Sequence, residues 1–319
     1  MNRKHTNLLF YICLSSLAIF IYYNEILTSP IIDQEVFYLS CDSLLDYLKY
    51  PAPVLLIDHE ILEQIDRSHC HLQNDKPVKI GIDVSYEPRL SDHRFHLAYF
   101  KNSSSADFLN FGIHHKKKLI PKNYPSRVLG NIQVPTDIQK FLGFWQRSSF
   151  IACSNPNNQK NISETAVTAL ASMREELINH GIFPFLTGTT LLEWYKECTI
   201  PAGKLNLAVM ATEFSRNVLT ELESGINGWK VVGTTGNIER SLKITLSQNP
   251  NTLIEISLMY KDVTEDKEVI HYTGNKNFVF SNYDPWCSTS IHGHIFWITC
   301  TPETRLAEEF GEDWKTHTL

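Results

Sequence analysis

Thr187-Gly188-Thr189-Thr190 is the segment of this sequence best suited to seat an anion. It follows an apolar run, Ile182-Phe183-Pro184-Phe185-Leu186, that reads as a strand, and it precedes Leu191 to Glu197, which reads as a helix. A small polar turn at a helix start offers backbone N–H groups at the positive end of the helix dipole, where a phosphate is favoured. Glu255 is a second candidate, because it interrupts the apolar strand-like run Leu253 to Tyr260. A carboxylate buried without a partner is costly, so Glu255 either faces solvent or belongs to a site. His93, His96, His114 and His115 invite a metal reading, but no acid or cysteine stands at a ligand spacing from them. C-x-x-C is absent, which argues against a zinc or redox motif.

Several elements must position these groups. A helix is expected from Ile162 to His180, with Asn161 as its cap and Glu164 three residues on. Ala166, Leu170, Met173 and Leu177 recur along it at helical spacing, and Gly181 marks its end. Leu205 to Met210 reads as a further strand. Upstream, Leu44, Leu45 and Leu48 suit one helix face, while Val54 to Ile57 and Val78 to Ile82 suit strands. Arg94 to Phe100 alternates, which predicts Phe95, Leu97 and Tyr99 on one sheet face. Lys116-Lys117-Lys118 reads as a solvated loop, and the polar stretch Ser154 to Gln159 reads as a linker.

The run Phe185-Leu186-Thr187-Gly188-Thr189-Thr190-Leu191-Leu192-Glu193-Trp194-Tyr195, with Ile200-Pro201 and the strand after it, resembles the signature of the fukutin and LicD proteins. Val134 to Ile138, Phe141-Leu142, Trp145, Ser149 to Ile151 and Cys153 are similar to the segment before the fukutin catalytic domain. Cys300 to Thr304 and Phe310 to Trp314 are similar to its C-terminal end, and Val54 to Asp58 resembles its N-terminal region. The likeness spans most of residues 130–314. It implies an α/β (α+β) fold: a nucleotidyltransferase-like mixed sheet with flanking helices, preceded by a smaller mixed α/β region. It also implies transfer of a phosphate-linked group, such as ribitol phosphate or phosphocholine, from a CDP-linked donor to a glycan or glycoprotein acceptor. A partner glycosyltransferase is a further expectation. In that chemistry Mg²⁺ or Mn²⁺, held by carboxylates, neutralises the leaving diphosphate.

The resemblance places Thr187, Gly188, Thr189 and Thr190 at the donor phosphates, and Glu255 and Asn206 at the catalytic metal centre. The family's paired acids fall on Lys204 and Asn206, and its third acid on Glu255. Asn206 supplies an oxygen but no charge, and Lys204 repels a divalent cation; Glu193, Glu197 or Asp262 would have to compensate. Two functional classes therefore stand: a transferase with a rearranged metal site, and a non-catalytic relative that binds a glycan, a nucleotide or a partner enzyme. A membrane-anchored adhesion or structural protein is the third.

The chain has 319 residues, a net charge of -6 and 43% hydrophobic residues, enough for a sizeable core and unlike the electrostatic footprint of a nucleic-acid binder. Residues 1–7 carry Arg3, Lys4 and His5 ahead of an uncharged apolar run over residues 8–23, with Tyr22-Tyr23 at its far end and Glu25 beyond. At 1.5 Å per residue the run reaches about 24 Å, which predicts a short signal anchor rather than a cleaved signal peptide. The expected organisation is a cytosolic tail (1–7), a transmembrane helix (8–23), a stem (24–40), an N-terminal α/β lumenal region (41–149), a linker (150–160) and a fukutin/LicD-like domain (161–319). The pattern predicts a single-pass type II protein of the Golgi or ER membrane, with its body in the lumen. Sequons at Asn102 and Asn161 agree with that topology. Cys13 lies in the anchor, and the other six cysteines allow up to three disulfides in fifteen possible pairings.

Overall fold

The computed structural model describes residues 38–71, 76–86, 92–113, 115–154, 162–249, 252–264, 267–273, 277–281 and 286–316. The anchor expected over residues 8–23, most of the stem, His114 and the sequon at Asn161 lie outside them. Among the described residues no helix is long and apolar enough to cross a membrane. The architecture is mixed α/β, with two mixed sheets and flanking helices.

The N-terminal region runs β1 (Tyr38–Leu39), α1 (Cys41–Tyr47), β2 (Val54–Leu56), α2 (His59–Asp66), β3 (Cys70–His71), β4 (Val78–Asp83), β5 (Phe95–Asn102), β6 (Phe108–Ile113), β7 (Lys116–Pro121), β8 (Ser126–Leu129), β9 (Ile132–Pro135) and α3 (Ile138–Gln146). Its sheet has the order β7-β6-β5-β4-β2-β9-β8. Asp58 caps α2 through the Ile61 N–H at 3.2 Å and also accepts from the Lys79 N–H at 3.1 Å, so one buried carboxylate fixes the helix start to β4. The alternation expected along β5 fails. Ala98 is buried and Tyr99 exposed, because Gly81 and Ala98 make room for the Phe111 ring on the face that was to be polar. The three lysines form strand β7 rather than a loop. Lys117 lies over Phe150 at 3.9 Å and Lys118 over Trp145 at 4.8 Å, which spends their aliphatic stems on packing.

The C-terminal region holds α4 (Glu164–Asn179), β10 (Phe185–Leu186), α5 (Gly188–Glu197), β11 (Lys204–Met210), a 3-10 turn (Ala211–Glu213), α6 (Arg216–Ser224), β12 (Lys230–Thr235), β13 (Lys243–Asn249), β14 (Thr252–Thr264), β15 (Lys267–Thr273), β16 (Asn277–Ser281), β17 (Trp286–Ile291), β18 (His294–Thr299) and α7 (Pro302–Phe310). Its main path is β12-β13-β14-β11-β10-β18-β17, and β15 and β16 extend from the far end of β14. Helix α4 is the one foreseen, but Ser163 caps it, its hydroxyl accepting from the Ala166 N–H at 3.3 Å. The predicted apolar face, Ala166, Leu170, Met173 and Leu177, is buried.

The two regions are fastened to each other. Residues 148–151 hydrogen-bond to β7 on one side and to β17 on the other, joining the sheets edge to edge. The start of the expected linker is therefore structural. Asp107, from the β5–β6 turn, accepts from the Ile295 N–H at 2.8 Å, contacts the His294 ring at 2.9 Å and pairs with the buried Arg174 of α4 at 2.9 Å. Phe144, Phe183 and Trp297 close the joint in one shared core. All six described cysteines pair, as Cys41–Cys70, Cys153–Cys198 and Cys287–Cys300.

Candidate functional site

The turn after β10 is tighter than its sequence suggested. Helix α5 begins at Gly188, not Leu191, so Thr189 and Thr190 belong to its first turn. Gly188 holds φ +57, a left-handed conformation that an L side chain adopts only at a cost. The cap residue Thr187 makes no side-chain cap bond. Its hydroxyl instead accepts from Nη2 of the buried Arg305 on α7 at 3.2 Å. The helix start thus lacks a side-chain cap on the face that would meet a ligand.

Asn206 on β11 is woven into this turn. Its backbone N–H donates to Thr190 Oγ1 at 2.8 Å, and its carbonyl accepts from the Thr187 N–H at 3.3 Å. Its side-chain oxygen accepts from the Thr189 hydroxyl at 2.7 Å. That leaves the amide nitrogen directed at Glu255, 3.4 Å from Oε1. Asn206 is expected to lend an oxygen to a metal; in the fold that oxygen is already engaged.

Glu255 sits on β14 directly across from Asn206 on β11 and from Thr245 on β13. Lys204 precedes Asn206 by two residues and Lys243 precedes Thr245 by two, so both fall on the face of Glu255. Lys204 Nζ lies 2.7 Å from Glu255 Oε2, and Lys243 Nζ lies 3.2 Å from Oε1. With its side chain only 12% exposed, Glu255 is satisfied by two ammoniums and an amide. The trio carries one net positive charge beside the start of α5. Lys204 keeps 54% of its side chain exposed and can face a ligand.

The structure thus gathers Thr187, Gly188, Thr189, Thr190, Asn206 and Glu255 into one cluster. A divalent cation does not fit it, since one acid is closed by two cations and the amide oxygen is taken. Among the described residues no group of three or more His, Cys, Asp or Glu is arranged to hold a metal. The expected compensating acids stand elsewhere. Glu197 pairs with Lys196 at 3.4 Å, and burial raises the Glu193 carboxyl above its ordinary range. The Asp262 side chain lies outside what is described. Lys243 and Arg305 went unforeseen. The alternation of buried Leu242, Ile244 and Leu246 does put Lys243 on the polar face, but only the hairpin register brings it to Glu255.

Over 297 residues the chain is 34% identical to "Uncharacterized protein W02B3.4" of Caenorhabditis elegans, covering 87% of this chain and 76% of that one. Residues 40–152 match the family described as W02B3.4-like, N-terminal domain. The chain belongs to the W02B3.4-like family. A second relative, "Uncharacterized protein T07A5.1" of the same nematode, is 31% identical over 296 residues, covering 86% of this chain and 78% of the relative. Among solved structures, the lincomycin-bound lincosamide antibiotic adenylyltransferase LnuA is 14% identical, covers 49% of this chain and 98% of its own, and superposes with a TM-score of 0.31. A likeness that slight supports no argument about this protein.

Gly188→Ala tests the turn. The added Cβ would sit 3.3 Å from Asn206 Cγ at a φ of +57. The change should destabilise the protein by about 1–2 kcal/mol through backbone strain. It should also displace Asn206 from its bonds to Thr187, Thr189 and Thr190. A melting temperature unchanged from the parent would show that the turn relaxes freely.

Proposed function

We propose that this protein is a lumenal, membrane-anchored relative of the fukutin and LicD proteins, with a nucleotidyltransferase-like second region, that works in glycan modification without metal-dependent catalysis. The observation that carries the reading is Glu255 held between Lys204 and Lys243. In the chemistry of that family acids at the positions of Lys204, Asn206 and Glu255 would hold a divalent ion; here Lys204 instead sets an ammonium against Glu255. A lysine can neutralise a phosphate but does not bridge a diphosphate and an acid ligand as a metal does. What remains is a cationic seat: the side-chain-uncapped start of α5, the left-handed Gly188 and the exposed Lys204. Such a seat suits the phosphates of a CDP-linked donor or of a phosphorylated glycan, held for a partner glycosyltransferase rather than turned over. Three disulfides and a sequon at the exposed Asn102 support a lumenal body, and a single-pass type II anchor in the Golgi or ER membrane is part of the same proposal.

Titration of the full-length protein with CDP in the presence of a chelator tests this. Binding should persist without metal and fall about tenfold or more in Lys204→Ala, as loss of one charge-assisted contact predicts. Binding that requires Mn²⁺, or turnover of a CDP-linked donor that is lost in Glu255→Ala, would instead establish a rearranged catalytic site.

A further inference from the structure

A cleft of about 610 Å³ opens where the two regions meet and shares no residue with the Glu255 cluster. One wall is the end of β5 and the turn after it, with Lys101 and Ser103; another is β6 and β7, with Asn110 and Lys117. The first turns of α4 supply Thr168, and the β17–β18 turn supplies His292. We propose that this cleft binds an acidic sugar, with Lys101 and Lys117 on its phosphate or carboxylate and the side chains of Ser103, Asn110 and Thr168 on its hydroxyls.

Several observations support this. The volume falls within the range of small-ligand sites and far exceeds a lone phosphate. Among the described residues neither Lys101 nor Lys117 has an ion-pair partner, although Lys117 rests against the Phe150 ring and its desolvation lowers the ammonium below the usual lysine range. Both side chains are exposed, and a bound anion would give each a charge-assisted partner. Asp107, outside the lining, is committed to Arg174, His294 and the Ile295 N–H, and Glu164 is the one acid in the lining. The walls are fixed against each other by that same clamp. The β17–β18 turn is held too: His292 and Gly293 both take left-handed backbone at φ +46 and +81, and Gly293 approaches so closely that a Cβ would meet the Ser105 carbonyl oxygen at 2.3 Å. His292 is itself part of the lining. The lining's one benzene or indole ring, Phe108, is 8% exposed, so it offers no platform on which a nucleobase could stack.

The acidic sugar could arrive on another glycan or on the chain's own N-glycan at Asn102, which is exposed beside Lys101. Isothermal titration of the full-length glycosylated protein would use mannose 6-phosphate and glucuronic acid, with mannose, glucose and inorganic phosphate as controls. The acidic sugars should bind, the neutral parents should not, and phosphate should be weaker by about tenfold or more. Measured with CDP in excess to occupy the Glu255 centre, Lys101→Ala and Lys117→Ala should each weaken the acidic sugars about tenfold with little change in melting temperature. The excess CDP separates this proposal from the reading of the Glu255 centre. In Asn102→Gln, tighter binding of added sugar identifies the protein's own glycan as the occupant, and unchanged binding identifies an external one. Equal affinity for neutral and acidic sugars, phosphate binding as tight as mannose 6-phosphate, or indifference to both lysine changes would overturn the proposal.

Discussion

Lys204→Asp combined with Asn206→Asp should create a Mn²⁺ site where the parent protein has negligible affinity, a gain of at least two orders of magnitude. Asp at 204 and 206 would share one face of β11, opposite Glu255 on the neighbouring parallel strand. At about 4 Å and an effective dielectric near 20, two unit charges interact by about 4 kcal/mol, and a divalent ion doubles that. The first substitution reverses one such contribution and also frees Glu255 Oε2 from its 2.7 Å contact with Lys204. The second adds a charge, although it removes the amide that Thr189 anchors at 2.7 Å. Lys243 remains at 3.2 Å from Oε1, so adding Lys243→Gln should improve affinity by about a further tenfold. Without metal the designed acids repel, and the double variant should melt below the parent. Saturating Mn²⁺ should restore it, since ligand at about 100 times its dissociation constant contributes about 2.7 kcal/mol. Glu255→Ala in the same background should erase the gain. If the folded double variant shows no thermal response to Mn²⁺, the paired positions are not a lapsed metal centre. The proposed descent from metal-dependent chemistry would then lose its support.

Replacing Cys153 and Cys198 by serine should cost about 3–4 kcal/mol, the largest stability loss expected from any of the three disulfides. That bond closes the longest loop, with a sequence separation of 45 against 29 and 13 for the others, and the chain-entropy cost grows with loop length. It also ties the strip at residues 148–151 to the end of α5, the helix that starts at the candidate site. Cys198 is itself left-handed at φ +54, so its cap geometry depends on the tether. The double serine variant should therefore unfold at markedly lower denaturant than the parent. Expression should follow the same logic. Material directed to the secretory pathway should fold, carry a glycan removed by Asn102→Gln and resist carbonate extraction. Material made in a reducing cytosol should be largely insoluble. A stable, fully reduced, unglycosylated protein would contradict both the role of the bonds and the lumenal assignment.

Where the signal in the sequence was local, it carried through to the fold. Helix α4 was legible because its apolar spacing is a property of one segment, and the number of cysteines allowed three disulfides without showing that all would form or how they pair. The turn at Gly188 was legible because strand, glycine and helix are contiguous, as were strands β4, β11 and β14 from their apolar runs. Face assignments were less secure. Residues of β5 lie under rings from other strands, so Gly81 and Ala98 set which side Phe111 covers, and no alternation within β5 records that. Lys116 to Lys118 are solvated to a large extent as expected, but they read as a loop because charge was weighed without the strand pairing and the aromatic partners that Phe150 and Trp145 give Lys117 and Lys118. The resemblance put Lys204, Asn206 and Glu255 in one place, but their electrostatics depended on Lys243, which arrives only through the β13–β14 register. The cleft proposed for an acidic sugar likewise combines short pieces spread from Lys101 to His294, none of them conspicuous alone. Sequence by itself determined the segments, their polarity and the cysteine inventory, because those depend on neighbours along the chain. Tertiary structure decided which charges meet, because the interaction of two ions depends on a separation of a few ångströms that strand pairing, not sequence distance, sets.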